Sequence, residues 1–242
     1  MRIVIPLFER FTALDAVGPY DVLKLLPGAD VVFAATSPGP VRNTAGTLAL
    51  VADVALTDVD SCDVLVVPGG AVRDQLGGGE LVDWIRRVHD TARWTTSVCT
   101  GSLLLGAAGL LAGRTATTHW RSAQRLASFG ATYTARRVVE DGTLITAAGV
   151  SAGIDMALTL AARLTDRTTA EAIQLAIEYD PQPPFDTGSP AKAPRAVRDR
   201  YAAGFRTTAR PEAGAAVDTH RIRQLGRETS CRNQPAEVTG GN

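Results

Sequence analysis

The chain has 242 residues, of which 45% are hydrophobic, so it can bury one substantial core with a tail left over. Its formal net charge of +0 argues against electrostatic attraction to nucleic acid or to an anionic membrane. Cys62, Cys99 and Cys231 are too few and too scattered for a disulfide framework, and none has a partner at metal-ligand spacing. These features predict a cytoplasmic protein that acts on a small molecule without a metal or cofactor. No signal peptide or membrane-spanning segment is predicted.

The first predicted unit is a strand followed by a helix. Ile3–Leu7 is a continuous apolar run, which is typical of a parallel strand covered on both faces. Leu14–Leu26 has an apolar pattern close to the helical period, and Pro19 is expected near the beginning of that helix. Asp15 would then lie at the first turn, close to the carboxyl edge of the strand. On sequence alone, helix N-capping is the favoured role for this aspartate.

The middle of the sheet is predicted to end in a glycine-rich turn. Val31–Thr36 is a second strand, and residues 38–58 form short strands or an extended excursion. Asp63–Val67 is a third strand, apolar from Val64 onward, that stops at Pro68-Gly69-Gly70. Glycines let a backbone approach a ligand and expose its N–H groups, so this turn is a candidate oxyanion site. A tight turn that needs glycine only for its conformation is the alternative.

A cysteine stands where a strand is predicted to become a helix. After a helix over Glu80–Thr91, the run Trp94–Val98 prefers a strand, whereas Leu103–Leu111 prefers a helix. Cys99 would therefore occupy a strand-turn-helix elbow, a turn that presents a reactive side chain at the carboxyl edge of a sheet. The amides of the new helix turn are expected to favour the thiolate of Cys99. The alternative is an ordinary buried thiol.

The remaining elements complete an α/β pattern. We expect a short strand over Thr115–Thr118, a helix over Ser122–Phe129, a hairpin-like pair within Thr132–Thr146 around Asp141-Gly142, and helices over Ile154–Leu164 and Thr169–Tyr179. The order of strands and helices predicts a three-layer α/β sandwich with a mostly parallel central sheet.

Four ordered motifs resemble those of the ThiJ/PfpI family, within the class I glutamine amidotransferase-like superfamily. They are Leu14–Pro19, Val67–Gly70, Ser97–Gly101 and Ala116–Trp120. The resemblance implies a flavodoxin-like fold with a cysteine nucleophile elbow. It covers residues 1–190, which are therefore expected to form one ThiJ/PfpI-like domain. Residues 191–242 are expected to form a C-terminal extension that is helical at first and then partly disordered.

The resemblance also implies roles for individual residues. Cys99 falls on the family nucleophile, and Asp15 falls on an acidic residue that touches the sulfur. Gly69, Gly70 and Thr100 fall on substrate-binding positions, with the backbone amides of Gly70 and Thr100 in an oxyanion-type pocket, and Thr100 is also counted as catalytic.

His119 is the sole candidate base among the three histidines. It matches a histidine found near the cysteine in some relatives. Protease-like members instead carry a histidine directly after the nucleophile, where this chain has Thr100, so a Cys-His protease mechanism is not expected. Since nothing in the sequence orients His119, a structural role is the favoured interpretation.

The run Ile177–Asp186 is similar to the C-terminal pattern of family members that hydrate isonitriles. This resemblance implies an enzyme that converts an isonitrile to an N-substituted formamide through a thioimidate on Cys99, with Asp15 as general acid and base. Two alternatives are a ligand sensor and a glyoxalase-like cysteine protein. Regulators of the family carry a C-terminal helix-turn-helix module, whose pair of amphipathic helices is not evident after Pro190. By analogy with the family we expect a homodimer, in which residues near Tyr179 and Asp180 complete the pocket.

Overall fold

A seven-stranded sheet runs through residues 1–204, the part of the chain that the computed structural model describes. The strands are β1 (Arg2–Pro6), β2 (Asp30–Ala35), β3 (Gly39–Arg42), β4 (Ala49–Ala52), β5 (Val54–Ala55), β6 (Val64–Val67), β7 (Trp94–Val98), β8 (Thr115–Ala116), β9 (Thr132–Tyr133), β10 (Val138–Asp141) and β11 (Leu144–Ala147). The sheet order is β10-β11-β7-β6-β1-β2-β5, and every neighbouring pair is parallel except β10 with β11. The predicted mostly parallel sheet is confirmed.

Helices cover both faces of this sheet. They are α1 (Ala13–Leu23), α2 (Glu80–His89), α3 (Gly101–Ala107), α4 (Ala123–Ala127), α5 (Ala152–Leu164), α6 (Arg167–Ala176) and α7 (Arg195–Ala202). Helix α1 packs on α5, which packs on α6, whereas α2 packs on α3. All four residues of β6 have no exposed surface, as a central parallel strand between two helical layers requires. The predicted three-layer sandwich is confirmed.

Two small sheets lie outside the central one. β3 and β4 form an antiparallel pair inside the segment predicted as an extended excursion. β8 and β9 form a parallel pair, so Thr132–Tyr133 belongs to this pair and not to the hairpin in which the sequence placed it. The hairpin around Asp141-Gly142 is present as β10 and β11.

Helix α1 begins one residue earlier than predicted, and this shift changes the setting of two residues. Thr12 is the N-cap, Asp15 is the third helical residue, and Pro19 lies inside the helix and not near its beginning. Pro19 removes a backbone donor there, and its ring packs close to Gly153 of α5. Asp15 therefore projects from the first turn of α1.

The C-terminal part of the described chain is largely exposed. After α6, residues 178–194 form turns and bends, and α7 follows. Residues 205–242, which hold most of the extension predicted to be partly disordered, lie outside the described residues. Within residues 1–204, no helix is both long enough and apolar enough to cross a membrane.

Candidate active site

Cys99 lies in a strained turn between β7 and α3. Its φ of 58° is in the left-handed region, which costs a residue other than glycine about 1–3 kcal/mol. The Cys99 amide donates to the carbonyls of Ala147 and Ala148 at 3.1 and 2.9 Å. Its carbonyl accepts from the hydroxyls of Ser102 and Thr118 at 3.2 and 3.0 Å. These contacts hold the turn against its strain, so Cys99 lies in a strained strand-turn-helix elbow.

Two glycines let the turn after β6 press against this elbow. A Cβ atom at Gly69 would lie 2.6 Å from the Thr100 nitrogen and 2.8 Å from the Asp15 Oδ2 atom. A Cβ atom at Gly101 would collide with the carbonyl oxygen of Val67. Neither position has room for a side chain, because the backbone of one loop contacts that of the other. The Pro68-Gly69-Gly70 turn and the Cys99 elbow thus form one unit.

Asp15 is fully buried beside the elbow. Its Oδ2 atom accepts the Gly69 amide at 2.9 Å. Its Oδ1 atom accepts no N–H or O–H hydrogen bond within residues 1–204, and the Cys99 thiol lies beside the carboxyl group. The N-cap interpretation is wrong, because Thr12 holds the cap position and the Asp15 side chain points to the sheet edge instead of to the helix amides. A buried carboxylate oxygen without a partner is costly for stability and is the feature expected of a group that binds or transfers a proton.

The surroundings of Asp15 place its titration near neutrality. Burial raises the pKa of this carboxyl group to about 7, and the Gly69 amide and the Cys99 thiol partly oppose that rise. Asp15 can therefore be either protonated or ionised at neutral pH. A group in that condition can both donate and accept protons during one turnover.

The surroundings of the Cys99 thiol favour its protonated form. Burial and the negative charge of Asp15 raise its pKa to about 12, although the amides of Val150 and Thr100 and the Thr100 hydroxyl lower it. The amides act as predicted, because they lower the pKa of the thiol, but desolvation outweighs their field. The thiol must therefore lose its proton during any attack by sulfur, and the Asp15 carboxyl group lies against it.

Thr100 fastens the glycine turn to the elbow. Its hydroxyl accepts from the Gly70 amide at 2.8 Å and donates to the Gly70 carbonyl at 2.9 Å. The amides of Gly69 and Gly70 are therefore both hydrogen-bonded within the protein, to Asp15 and Thr100 respectively. The amides that face the sulfur are those of Thr100 and Val150.

Val150 is a site residue that the sequence analysis missed. It follows β11 with a left-handed φ of 37°, a conformation that is unusual for a β-branched residue. Its amide lies against the Cys99 sulfur. The run of small residues after β11 is the only signal in the sequence that another backbone approaches there.

His119 stands one loop away from the thiol. Its half-buried ring packs on Gly149, where a Cβ atom would lie 2.8 Å from the His119 Cδ2 atom. Its Nδ1 atom accepts from the Arg121 amide at 3.4 Å, and burial lowers the pKa of the ring. Within residues 1–204 no hydrogen bond joins His119 to Cys99. The ring supports the loop that carries Val150.

A cavity of about 390 Å³ opens beside Gly70 and Thr100 and gives a small molecule room next to the elbow. In the described part of the chain, no three His, Cys, Asp or Glu side chains are grouped so that they could hold a metal ion.

This arrangement agrees with comparisons to known proteins. The sequence model of the DJ-1/PfpI family matches residues 1–163. The chain belongs to the DJ-1/PfpI family. The predicted ThiJ/PfpI membership is thereby confirmed.

The relatives of this DJ-1/PfpI protein include an enzyme and a transcriptional regulator. The isonitrile hydratase of Pseudomonas putida is 48% identical over 194 residues, which cover 80% of this chain and 85% of that protein. A ThiJ/PfpI family protein from Pseudomonas syringae has a crystal structure with a TM-score of 0.80 at 41% identity, covering 84% of each chain. The transcriptional regulator CdhR of Pseudomonas aeruginosa is 33% identical over 149 residues, which cover 60% of this chain and 41% of that one.

Proposed function

We propose that this protein is an isonitrile hydratase, which adds water to an isonitrile and releases an N-substituted formamide. The observation that carries the proposal is the 48% identity to the Pseudomonas putida enzyme over 80% of the chain. The site supports it with a buried thiol and a carboxyl group whose pKa is about 7, the two groups that such a reaction needs.

The first step forms a bond between sulfur and carbon. The ionised Asp15 carboxylate accepts the thiol proton as the Cys99 sulfur attacks the terminal carbon of the isonitrile. Asp15 then gives that proton to the same carbon. The product is a thioimidate, R–N=CH–S–Cys99, and Asp15 is again ionised. Because the proton only passes through Asp15, the high pKa of the thiol does not prevent the step.

The second step consumes water. The water oxygen bonds to the thioimidate carbon, and one water proton passes through Asp15 to the substrate nitrogen. The carbon–sulfur bond then breaks as the new hydroxyl becomes a carbonyl group, and the hydroxyl proton returns to the sulfur. The products are R–NH–CHO and the Cys99 thiol, so the site is restored. The scheme uses only protein side chains and water.

The other site residues position these two groups. Gly69 holds one oxygen of the Asp15 carboxyl group and leaves the other without a partner for proton transfer. The hydroxyl of Thr100 locks the glycine turn, while its amide and that of Val150 stabilise negative charge that develops on sulfur. Gly70 and Thr100 border the cavity from which the isonitrile approaches. His119 takes no part in either step.

The proposal includes a cytoplasmic homodimer that binds neither nucleic acid nor membranes. Two exposed apolar side chains support the dimer, since Leu175 is 81% and Phe185 is 76% exposed in the single chain. Tyr179 lies between them in sequence, and its hydroxyl donates to Asp155 at 2.7 Å. Tyr179 and Asp180 would then lie near the rim of the site. Residues 1–190 are proposed as the catalytic domain, with residues 191–242 as an extension.

The test is direct. Purified protein is incubated with cyclohexyl isocyanide, and N-cyclohexylformamide is measured by chromatography, with the Cys99→Ser variant as control. We expect formamide only with the native protein. Methylglyoxal is offered in parallel. Conversion of methylglyoxal without hydration of isonitrile would replace the proposal with a glyoxalase-like activity, and binding without turnover of either compound would favour a sensor.

A further inference from the structure

The cavity beside the elbow is lined by more positive than negative side chains. Arg10, Arg73 and Arg125 all line it, and Asp74 is the one acidic residue among its lining residues. The three arginines come from separate elements: the turn after β1, the 3-10 turn after the Pro68-Gly69-Gly70 segment, and helix α4. Three distant stretches of the chain therefore bring guanidinium groups to one opening.

The guanidinium groups of these arginines are not paired with carboxylates in the described part of the chain. Within residues 1–204, none of the three forms a salt bridge. By contrast, six other arginines pair with carboxylates in the same part of the molecule: Arg86, Arg114, Arg137, Arg163, Arg167 and Arg195. With a formal net charge of +0 for the whole chain, the excess positive charge at the cavity is local. It favours a ligand that carries negative charge.

Arg10 is held at the cavity by a strained backbone. Its φ of 67° is left-handed, which is costly for a residue other than glycine. Its amide donates to the Arg42 carbonyl at 2.8 Å, and its carbonyl accepts from the Ala71 amide at 3.0 Å. This carbonyl also packs on Gly70, where a Cβ atom would lie 2.5 Å from it. Arg10 is thus fastened to the same glycine turn that contacts the elbow.

The cavity is continuous with the proposed reaction site. Thr100 lines it and is the residue after Cys99, so the two Cα atoms are only about 3.8 Å apart. Gly70 lines it too, and the adjoining Gly69 holds the Asp15 carboxyl group. A substituent on a molecule that reacts at Cys99 can therefore extend past Thr100 into the cavity.

We propose that the arginine-lined cavity binds an anionic group, a carboxylate or a phosphate, on the substituent of the isonitrile substrate. Guanidinium groups suit both anions, because their planar N–H donors match the oxygens in pairs. The inference rests on the proposed function and narrows it to a substrate class, the isonitriles with a negatively charged substituent.

The experiment compares ω-isocyano carboxylates of increasing chain length with their neutral methyl esters, by kcat/KM for formamide production. The test variant is R73Q/R125Q, and the control is R87Q/R93Q, which removes the same charge from exposed positions that do not line the cavity. Native protein should prefer the carboxylate over its ester by at least about tenfold at the best chain length. The preference should fall at high salt and approach unity in R73Q/R125Q through a selective loss of the carboxylate rate, whereas the R87Q/R93Q profile should stay unchanged.

Other outcomes would overturn the proposal. Equal rates for the carboxylate and its ester in native protein would show that the cavity does not select charge. An equal loss of both rates in R73Q/R125Q would show the same. In either case, hydration of the ester would leave the proposed function standing. If neither compound is hydrated, the proposed function fails and the inference falls with it. Stimulation of ester hydration by free acetate would identify an effector site in place of a substrate subsite. A changed oligomeric mass of R73Q/R125Q with unchanged selectivity would identify a subunit interface.

Discussion

The two described cysteines have similar electrostatics but different surroundings. Cys62 and Cys99 are each 6% exposed, and burial raises the pKa of each thiol to about 12. Each has an aspartate that raises its pKa further, Asp63 for Cys62 and Asp15 for Cys99. Yet Cys62 precedes β6 at the amino edge of the sheet, whereas Cys99 follows β7 at the carboxyl edge.

The two cysteines differ in the hydrogen bonding of the neighbouring aspartate and in the conformation of their own backbone. Asp63 is exposed and accepts the Arg2 amide at 2.6 Å, and the Cys62 amide donates to the Thr91 hydroxyl at 3.3 Å in an ordinary turn. Asp15 is buried and keeps one oxygen without a partner. Cys99 is strained and receives two amides at its sulfur. A raised thiol pKa alone therefore does not identify a nucleophile, and the uncommitted carboxyl group beside a strained turn is the better indicator.

The largest expected contrast is between the two thiols themselves. Cys99→Ser should lower isonitrile turnover by at least about a thousandfold while leaving the fold intact, because a serine hydroxyl is a far weaker nucleophile than a thiol. Cys62→Ser should retain turnover within about twofold, since no step uses that thiol. Formamide production and circular dichroism of both variants measure this. Loss of turnover in Cys62→Ser with an intact fold would contradict the comparison.

The two aspartates should differ nearly as strongly. Asp15→Asn removes the group that relays the proton, so turnover should fall at least about a hundredfold. Asp63→Asn keeps an acceptor for the Arg2 amide and should leave turnover unchanged. Steady-state kinetics of the two variants, together with the pH dependence of Cys99 alkylation, provide the measurement. A folded Asp15→Asn protein with native turnover would leave Cys99 working with water alone.

Burial of Asp15 should also appear in stability. The pKa of Asp15 is about 7 in the folded protein against an ordinary value of 3.8, so the folded state binds more protons than the unfolded state between those two pH values. Stability therefore falls as pH rises through that window and levels off above it. The asparagine variant has no carboxyl group to titrate. Between about pH 5 and about pH 8, its free energy of unfolding should therefore rise by roughly 2–3 kcal/mol relative to that of the native protein. Urea titrations of both proteins at both pH values test this. An equal difference in free energy of unfolding at the two pH values would mean that burial does not raise the pKa of Asp15.

The smallest expected contrast concerns the two threonines. Thr100→Val removes the hydroxyl that holds the amide and the carbonyl of Gly70. Because the glycine turn is then displaced, turnover should fall about tenfold, which corresponds to a rise of about 1.4 kcal/mol in the activation free energy. Thr100→Ser keeps the hydroxyl and should recover most of the rate. Thr91→Val alters the Cys62 neighbourhood and should have no effect on turnover. Equal rates in Thr100→Val and Thr100→Ser would show that the Thr100 hydroxyl has no role in turnover.

Local patterns sufficed to predict the sheet and the change from strand to helix around Cys99. A central parallel strand such as β6 is an unbroken apolar run, because both of its faces are buried. The change from β-prone to helix-prone residues around Cys99 lies within a few positions, so it could be predicted without knowing the rest of the fold. The motifs that resemble the family added the site residues Asp15, Gly69, Gly70 and Thr100.

Tertiary structure decided what those residues do. Gly69 and Asp15 are 54 positions apart, and only their contact shows that the carboxyl group faces the sheet edge and does not cap its helix. Val150 reaches the sulfur because β11 pairs with β7, which no local pattern specifies. The raised pKa of Cys99 follows from the loss of water around it. Desolvation depends on every element packed against a group, so the sequence determined which groups are present, and the fold alone determined their pKa values and partners.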